Sequence, residues 1–259
     1  VGTAHSLDSN FKSKVMNALF AAGTLRIYKK NPVLAKTSAA KEELRQLGIP
    51  HAVIAPVGLD TAVLKKNIPA VEKMRLRKEH GFEADDVILC NVSRLSWEKR
   101  PLELIDLFLQ VKGKKKFKLI IVGNGPLEEE LNEKIRKNGL EKEVKIYPNV
   151  PYEKMWEIYE MSDHYLNMNK GEIFGMAIME AVYYKTSVAA IRALGPSVTL
   201  KDMKGHKLCE NDDEMAEWIT GPYPSEKDLQ ESSEKMAATF TWDRCADAFL
   251  QASSEKSSR

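Results

Sequence analysis

The stretch GEIFGMAIMEAVYY, residues 171–184, carries one charge between Ile173 and Tyr184, the carboxylate of Glu180, in an otherwise apolar helical pattern. A carboxylate left there without partners would cost several kcal/mol or lose its charge, so something polar must meet it. Glu172 stands eight positions earlier, in the turn before the helix. Gly171 and Gly175 let that turn come close to a ligand and aim free backbone N–H groups at it. Two carboxylates at a helix mouth with glycine-supported amides between them suit a polyhydroxy ligand bearing phosphate. On the residues alone an equal alternative stands, in which Glu180 pairs with a buried basic residue and the glycines only turn the chain.

A second cluster is NVSRLSWEKRP, where Arg94 and Lys99 flank a turn leading into a helix opened by Pro101. Two cations and a helix N-terminus meet there at the carboxyl end of a strand, the edge at which open α/β sheets bind ligands. Taken singly, a lysine or an arginine is more often a solvated surface cation. A third cluster is the GNGP turn, Gly123, Asn124, Gly125 and Pro126. It lacks the third glycine of a dinucleotide fingerprint, and Glu128, Glu129 and Glu130 fill the helix turn that follows. Dinucleotide binding is disfavoured, and the turn reads as a close backbone approach rather than the main phosphate cradle.

The elements that must position these residues alternate between short apolar runs and helical patterns, the signature of βα units and a mostly parallel sheet. Strands are expected at Val87–Val92, Phe117–Val122, Val144–Tyr147, His164–Met168 and Ser187–Ile191. Prolines 101 and 126 are expected to open helices, and further helices are expected over 152–161, 176–184, 212–219, 225–238 and 242–252. The first sixty residues differ in texture: a helix with Phe11, Val15, Leu19 and Ala22 on one face, then VLA at 33–35, a helix over 39–47, and AVIAPVGLD. Residues 61–79, rich in Lys and Arg and containing Pro69, read as a linker, and Ser253 to Arg259 as a frayed polar tail.

The chain has 259 residues, 43% hydrophobic and 29% charged, enough to bury a sizeable core in one large or two smaller domains. Lys plus Arg total 39 against 37 Asp plus Glu, so the net charge of +2 gives no electrostatic case for a nucleic-acid partner. Cys90, Cys209 and Cys245 are odd in number and far apart, which argues against a disulfide framework and for a reducing, cytoplasmic home. No run approaches the ~18 apolar residues of a membrane span.

Together the R-x4-K pair (Arg94, Lys99), GNGP and the E-x7-E pair (Glu172, Glu180) resemble the retaining glycosyltransferases of family 4. SAAKEELRQLGI followed by PVGLD, and the terminal FTWDRCADAFLQA, extend the resemblance over nearly the whole chain. It implies an α/β fold of GT-B type: a complete C-terminal Rossmann-like domain with a parallel sheet, and the remnant of an N-terminal one. The implied boundaries are 1–62 for the acceptor-side part, 63–85 for the linker, 86–240 for the donor-binding domain, and 241–259 for a helix crossing back to the first domain. The resemblance implies sugar transfer from a nucleoside-diphosphate sugar to a glycan or lipid-linked acceptor, as in envelope or capsular polysaccharide synthesis, with no metal or other cofactor. Arg94 and Lys99 would hold the diphosphate, Glu180 the ribose hydroxyls, and Glu172 with the amides around Ile173, Phe174, Gly175 and Met176 the transferred sugar and distal phosphate. Gly123, Asn124 and Gly125 would line the donor site, Val150 would lie against the nucleobase, and His5 would sit near the sugar.

The sequence departs from the family's pattern in three places. Val57 stands where asparagine is usual, Lys185 where glycine is usual, and RALGPSVTLKD replaces a double-glycine loop. The alignment also implies that much of the first domain precedes Val1, leaving an apolar surface for another copy or a partner chain to cover. Two rivals stay open: a GT-B sugar-nucleotide epimerase, and a non-catalytic nucleotide-sugar-binding subunit of a split enzyme. Lysines 112, 114, 115, 116 and 118, with Lys12, Lys14, Arg26, Lys29 and Lys30, are most simply solvated faces. The sharper alternative is peripheral contact with an anionic membrane that carries a lipid-linked acceptor.

Overall fold

The structure is a computed structural model that describes residues 22–31, 33–55, 57–61, 63–64 and 68–257. His5, Lys12, Lys14 and the helix face of Phe11, Val15 and Leu19 lie outside the described residues. By its contacts the chain divides into two compact units, one made of the described residues up to Val57 together with Asp243 onward, the other of Gly58–Trp242.

In the first unit a helix α1 over 22–30 precedes strand β1 (Leu34–Ala35), helix α2 (Ser38–Gln46) and strand β2 (Val53–Ile54). β1 and β2 pair in parallel, with Leu34 opposite Val53. Thr37 rather than Ser38 caps α2, its hydroxyl accepting from the Ala40 amide at 3.0 Å. Val33, Ala35, Leu44, Ile49 and Ala52 form a small core. A terminal helix α11 (Trp242–Ser257) extends into the segment expected to fray.

The second unit is built on a six-stranded, all-parallel sheet. Its strands are β3 (Val87–Val92), β4 (Phe117–Val122), β5 (Val144–Tyr147), β6 (His164–Asn167), β7 (Ser187–Ile191) and β8 (Lys207–Cys209). VILCNV, FKLIIV and SVAAI read as near-continuous apolar runs because helices cover both faces of a parallel sheet. Helix α4 (Pro101–Val111), with Pro101 at its first turn, buries Leu104, Ile105 and Phe108 against Leu119, Ile121, Leu166 and Ile219. Helix α5 (Glu128–Lys137) begins two residues after Pro126. Its three leading glutamates and its trailing Lys134, Arg136 and Lys137 complement the helix dipole at both ends.

The stretch expected as a linker differs from that expectation, for it folds into helix α3 (Ala70–Glu79). Arg77 of α3 is buried. Its guanidinium donates to Asp163 Oδ2 at 2.7 Å and to the Met161 carbonyl at 3.0 Å, while Lys73 reaches Asp163 Oδ1 at 3.1 Å. A cationic helix face is here a set of internal partners for one carboxylate.

The order of the sheet is β5-β4-β3-β6-β7-β8. From β3 the chain steps outward through β4 and β5. Helix α6 (Met155–Met161) then carries it back across to β6, on the other side of β3, and it steps outward again through helix α7 (Met176–Tyr183) to β7 and through helix α8 (Leu194–Thr199) to β8. Helices α9 (Asp212–Thr220) and α10 (Glu226–Thr239) complete the unit. The strand order therefore reverses between β3 and β6, and the crevice outside their carboxyl ends is where a doubly wound sheet binds its ligand.

Candidate functional site

The loops that leave β3 and β6 carry the two strongest sequence clusters, so the switch point brings them together. Lys99 donates to Glu172 Oε2 at 2.9 Å, and Asn169 Nδ2 donates to the same oxygen at 3.1 Å. Burial opposes ionisation of Glu172, but Lys99, Asn169 and Asn167 outweigh it and hold the carboxyl below its ordinary value. Arg94, on the same loop as Lys99, is exposed and makes no ion pair among the described residues. It can turn its guanidinium to an incoming anion.

The rest of the β3–α4 loop is tied down. Arg100 adopts a left-handed backbone (φ 54°) and donates to both carboxylate oxygens of Asp212, at 3.1 and 2.8 Å, fastening the loop to α9. Asn91 Nδ2 donates to the Leu166 carbonyl at 2.8 Å, cross-linking β3 and β6 near their carboxyl ends. Asn167 and Asn169 shape the loop after β6. Asn167 Oδ1 accepts from the Asn169 amide, and Asn169 Oδ1 accepts from the Gly171 amide. For Asn167 and Asn169 the sequence carries a signal, alternating NMN at the end of an apolar strand; for Asn91 and Arg100 it carries none.

Beyond Glu172 the chain runs through Ile173, Phe174 and Gly175 into α7. Gly175 has φ 87°, and no side chain caps the helix start at Met176, so the first amides of α7 stay available to an anion. Phe174 is buried, edge-on to Phe240 at 5.9 Å. α8, which forms within RALGPSVTLKD, presses on this turn. The Gly195 amide donates to the Glu172 carbonyl at 2.8 Å, and a Cβ at Gly195 would stand 2.4 Å from the Phe174 nitrogen. Where a double glycine is usual, a single glycine makes the close approach.

Glu180, 8% exposed, meets a phenol rather than a cation: Tyr159 OH donates to Glu180 Oε2 at 2.7 Å. Burial pushes the Glu180 carboxyl up, and only the Tyr159 hydroxyl pulls against it. Among the described residues no buried base pairs with Glu180, the alternative that the sequence left open.

The GNGP turn approaches protein rather than open space. A Cβ at Gly123 would lie 1.9 Å from the Ser93 carbonyl oxygen, and one at Gly125 would lie 2.4 Å from that of Leu95. The Leu95 amide donates to the Asn124 carbonyl at 2.9 Å, and the Asn124 side chain donates to Pro148 O at 3.1 Å. The glycines brace the backbone that carries Arg94, and Val150 follows two residues beyond Pro148, partly exposed. Of the lysine run, Lys115 bonds the Ile219 and Gly221 carbonyls and Lys116 pairs with Asp85, so part of that charge is structural. Among the described residues no group of three or more His, Cys, Asp or Glu is placed to hold a metal ion, and no helix is long and apolar enough to cross a membrane.

Comparison with known proteins places these features in a family context. The family described as "Glycosyl transferases group 1" matches residues 72–236. The D-inositol 3-phosphate glycosyltransferase of Mycobacterium avium (strain 104) is 26% identical over 285 aligned residues, covering 96% of this chain and 62% of that protein. Among solved structures, sucrose-phosphate synthase from Thermosynechococcus elongatus superposes with a TM-score of 0.77 at 16% identity, covering 99% of this chain and 64% of that one. Anabaena HepE in complex with UDP and glucose superposes at 0.73 and 20% identity, covering 91% and 67%. The chain thus spans about three fifths of the length of the curated relative, 62%.

Proposed function

The chain belongs to the glycosyl transferases group 1 family, and from that membership we propose that it moves a sugar from a nucleoside-diphosphate sugar to a glycan or lipid-linked acceptor with retention of anomeric configuration. Its α/β fold with a six-stranded parallel sheet is that of GT-B glycosyltransferases. The observation that carries the reading is the convergence of Arg94, the Lys99–Glu172 pair and the uncapped start of α7 at the β3/β6 switch point. An anionic diphosphate has two cations and a row of amides to meet there, and a carboxylate stands beside them for sugar hydroxyls.

In this assignment residues 86–240 bind the donor and the described part of 1–62 belongs to the acceptor side. Arg94 and Lys99 take the diphosphate and stabilise the charge that grows on its leaving oxygen, a role cations can fill without a metal. Glu172, already held ionised by Lys99 and Asn169, accepts from hydroxyls of the transferred sugar. Glu180 accepts from the ribose. The bond from the sugar's anomeric carbon to the diphosphate oxygen breaks, the acceptor oxygen bonds that carbon on the same face, and the acceptor's proton passes to the departing phosphate. UDP and glucose in HepE support a donor of this class.

The test is incubation with α-linked nucleotide sugars and glycan or lipid acceptors, followed by proton NMR of the anomeric signal. An α-linked product supports the reading. A β-linked product overturns retention, and an epimerised nucleotide sugar with no transfer overturns the reaction class.

A further inference from the structure

We propose that Tyr159 is a positioning residue for the nucleotide: its buried hydroxyl fixes one oxygen of Glu180 so that the other is presented to the ribose hydroxyls. The inference rests on the assignment of Glu180 to the ribose made above and adds the group that prepares it. Tyr159 is wholly buried. Its ring stacks on Tyr184, centroids 5.8 Å apart and 9° from parallel, and leans on Tyr165 at 6.2 Å, while its carbonyl accepts from Thr186 Oγ1 at 2.9 Å. The ring is held by two aromatic neighbours and the backbone by Thr186, so the hydroxyl is not free to follow Glu180. It is Glu180 that is held.

The bland account, that Glu180 is there to satisfy a buried phenol, fails on chemistry. An amide or a backbone carbonyl would accept that hydrogen bond without the cost of desolvating a charge. A carboxylate at 8% exposure, bonded through Oε2 to one neutral donor and in no ion pair among the described residues, keeps unused acceptor capacity on Oε1. Vicinal hydroxyls, two donors close together, are the partner that capacity fits.

The groups that bear on Glu180 come from each element around α7. Tyr159 stands on α6, Tyr165 on β6, and Tyr152 in the turn before α6, the last two feeling the Glu180 charge. α10, packed along α7, carries Glu226, Lys227, Glu231, Glu234 and Lys235 exposed to solvent, with Asp228 bonded to Ser225. β7 and α8 carry no charged side chain. Among the described residues no cation pairs with Glu180, so the Tyr159 hydroxyl is the one group that opposes the upward push of burial on its carboxyl.

The experiment compares wild type, Tyr159→Phe and Glu180→Gln by calorimetric titration with UDP, GDP and ADP and their 2′-deoxy counterparts between pH 6 and 8.5. A parallel 13C titration follows the Glu180 carboxyl without ligand. Phe keeps the stacked ring, so Tyr159→Phe is expected to fold. We expect it to weaken the preferred ribonucleotide about tenfold, more at pH 6 than at pH 8.5, to lose discrimination against the 2′-deoxy form, and to titrate Glu180 at higher pH than wild type. Loss in Glu180→Gln with none in Tyr159→Phe at any pH overturns the proposal and leaves the ribose assignment standing. A loss in Tyr159→Phe that is uniform in pH and equal for ribo and deoxy forms reduces Tyr159 to packing and also overturns it. Unchanged binding in Glu180→Gln, or no binding by wild type, overturns the ribose assignment and the proposal with it.

Discussion

Replacing Gly195 by alanine should damage the site from a residue that bears no functional group. The new Cβ would stand 2.4 Å from Phe174 N, 2.6 Å from Ile173 C and 2.7 Å from Phe174 Cα, where ordinary contacts begin at 3.4 Å. All three are backbone atoms, so no side chain can swing away, and α8 or the Glu172–Phe174 turn must move by about 1 Å. Overpacking of this kind costs about 1–3 kcal/mol. Separating the Gly195 amide from the Glu172 carbonyl, 2.8 Å apart, adds about 1 kcal/mol. For a unit of this size, where each kcal/mol moves Tm by about 2–4 °C, the melting point should fall by about 5–15 °C in differential scanning calorimetry. Diphosphate affinity should fall with it, because the displaced turn carries Glu172 and leads into α7. Gly113→Ala is the control. Nothing lies within 4 Å of its Cβ position, so it should stay within about 0.5 kcal/mol of wild type. Equal melting points for the two variants would refute the reasoning.

Arg94 is exposed and free of ion pairs among the described residues. Arg94→Ala should leave Tm unchanged in scanning calorimetry while weakening nucleoside diphosphates about tenfold, ~1.4 kcal/mol, in titration calorimetry; a large loss of stability would contradict the role. Arg77→Met strips the half-buried Asp163 of its closest partner at 2.7 Å and leaves it Lys73 at 3.1 Å, which should cost about 1.5–3 kcal/mol, read as the shift of the urea midpoint; a neutral result would mean that α3 is not anchored there. His164 is 1% exposed and pushed down to about 4 by burial. Between pH 6.5 and 4 the unfolded chain takes up a proton that the native histidine refuses, so stability falls as pH drops through that window, by at most about 1.4 kcal/mol per pH unit. His164→Gln should flatten the dependence of Tm on pH there, and parallel curves would contradict it.

The central sheet was legible because strands buried on both faces leave runs such as VILCNV and FKLIIV that no helix of ordinary amphipathicity would show. Helix α3 was not legible. Its sequence AVEKMRLRKE buries only Leu76 and Arg77, and the carboxylate that holds it, Asp163, lies 86 positions from Arg77. Nor does periodicity show where a helix starts when its first turn is set elsewhere: Pro126 is spent in the turn that braces Ser93–Leu95, so α5 opens at Glu128. At the site, Lys99 and Glu172 stood out by type and spacing, because charge beside glycine at a strand end is unusual. Their pairing needed the strand order. An isolated Glu180 announced that a partner must exist, but a tyrosine in an amphipathic helix 21 residues earlier gives no sign that its hydroxyl faces inward. GNGP reads in sequence as a close backbone approach, but only the structure shows that the backbone it meets is that of Ser93 and Leu95.

The claim on which the rest depends is that a nucleoside diphosphate sits at the β3/β6 switch point. The direct measurement is the melting temperature of the chain and of Glu180→Gln with UDP, GDP, ADP, CDP and TDP in turn, because a ligand at 100 times its Kd adds about 2.7 kcal/mol to the folded state. The account predicts that one diphosphate raises the wild-type Tm by several degrees and that Glu180→Gln loses most of that rise. No rise with any of the five, or an equal rise in the variant, would contradict it.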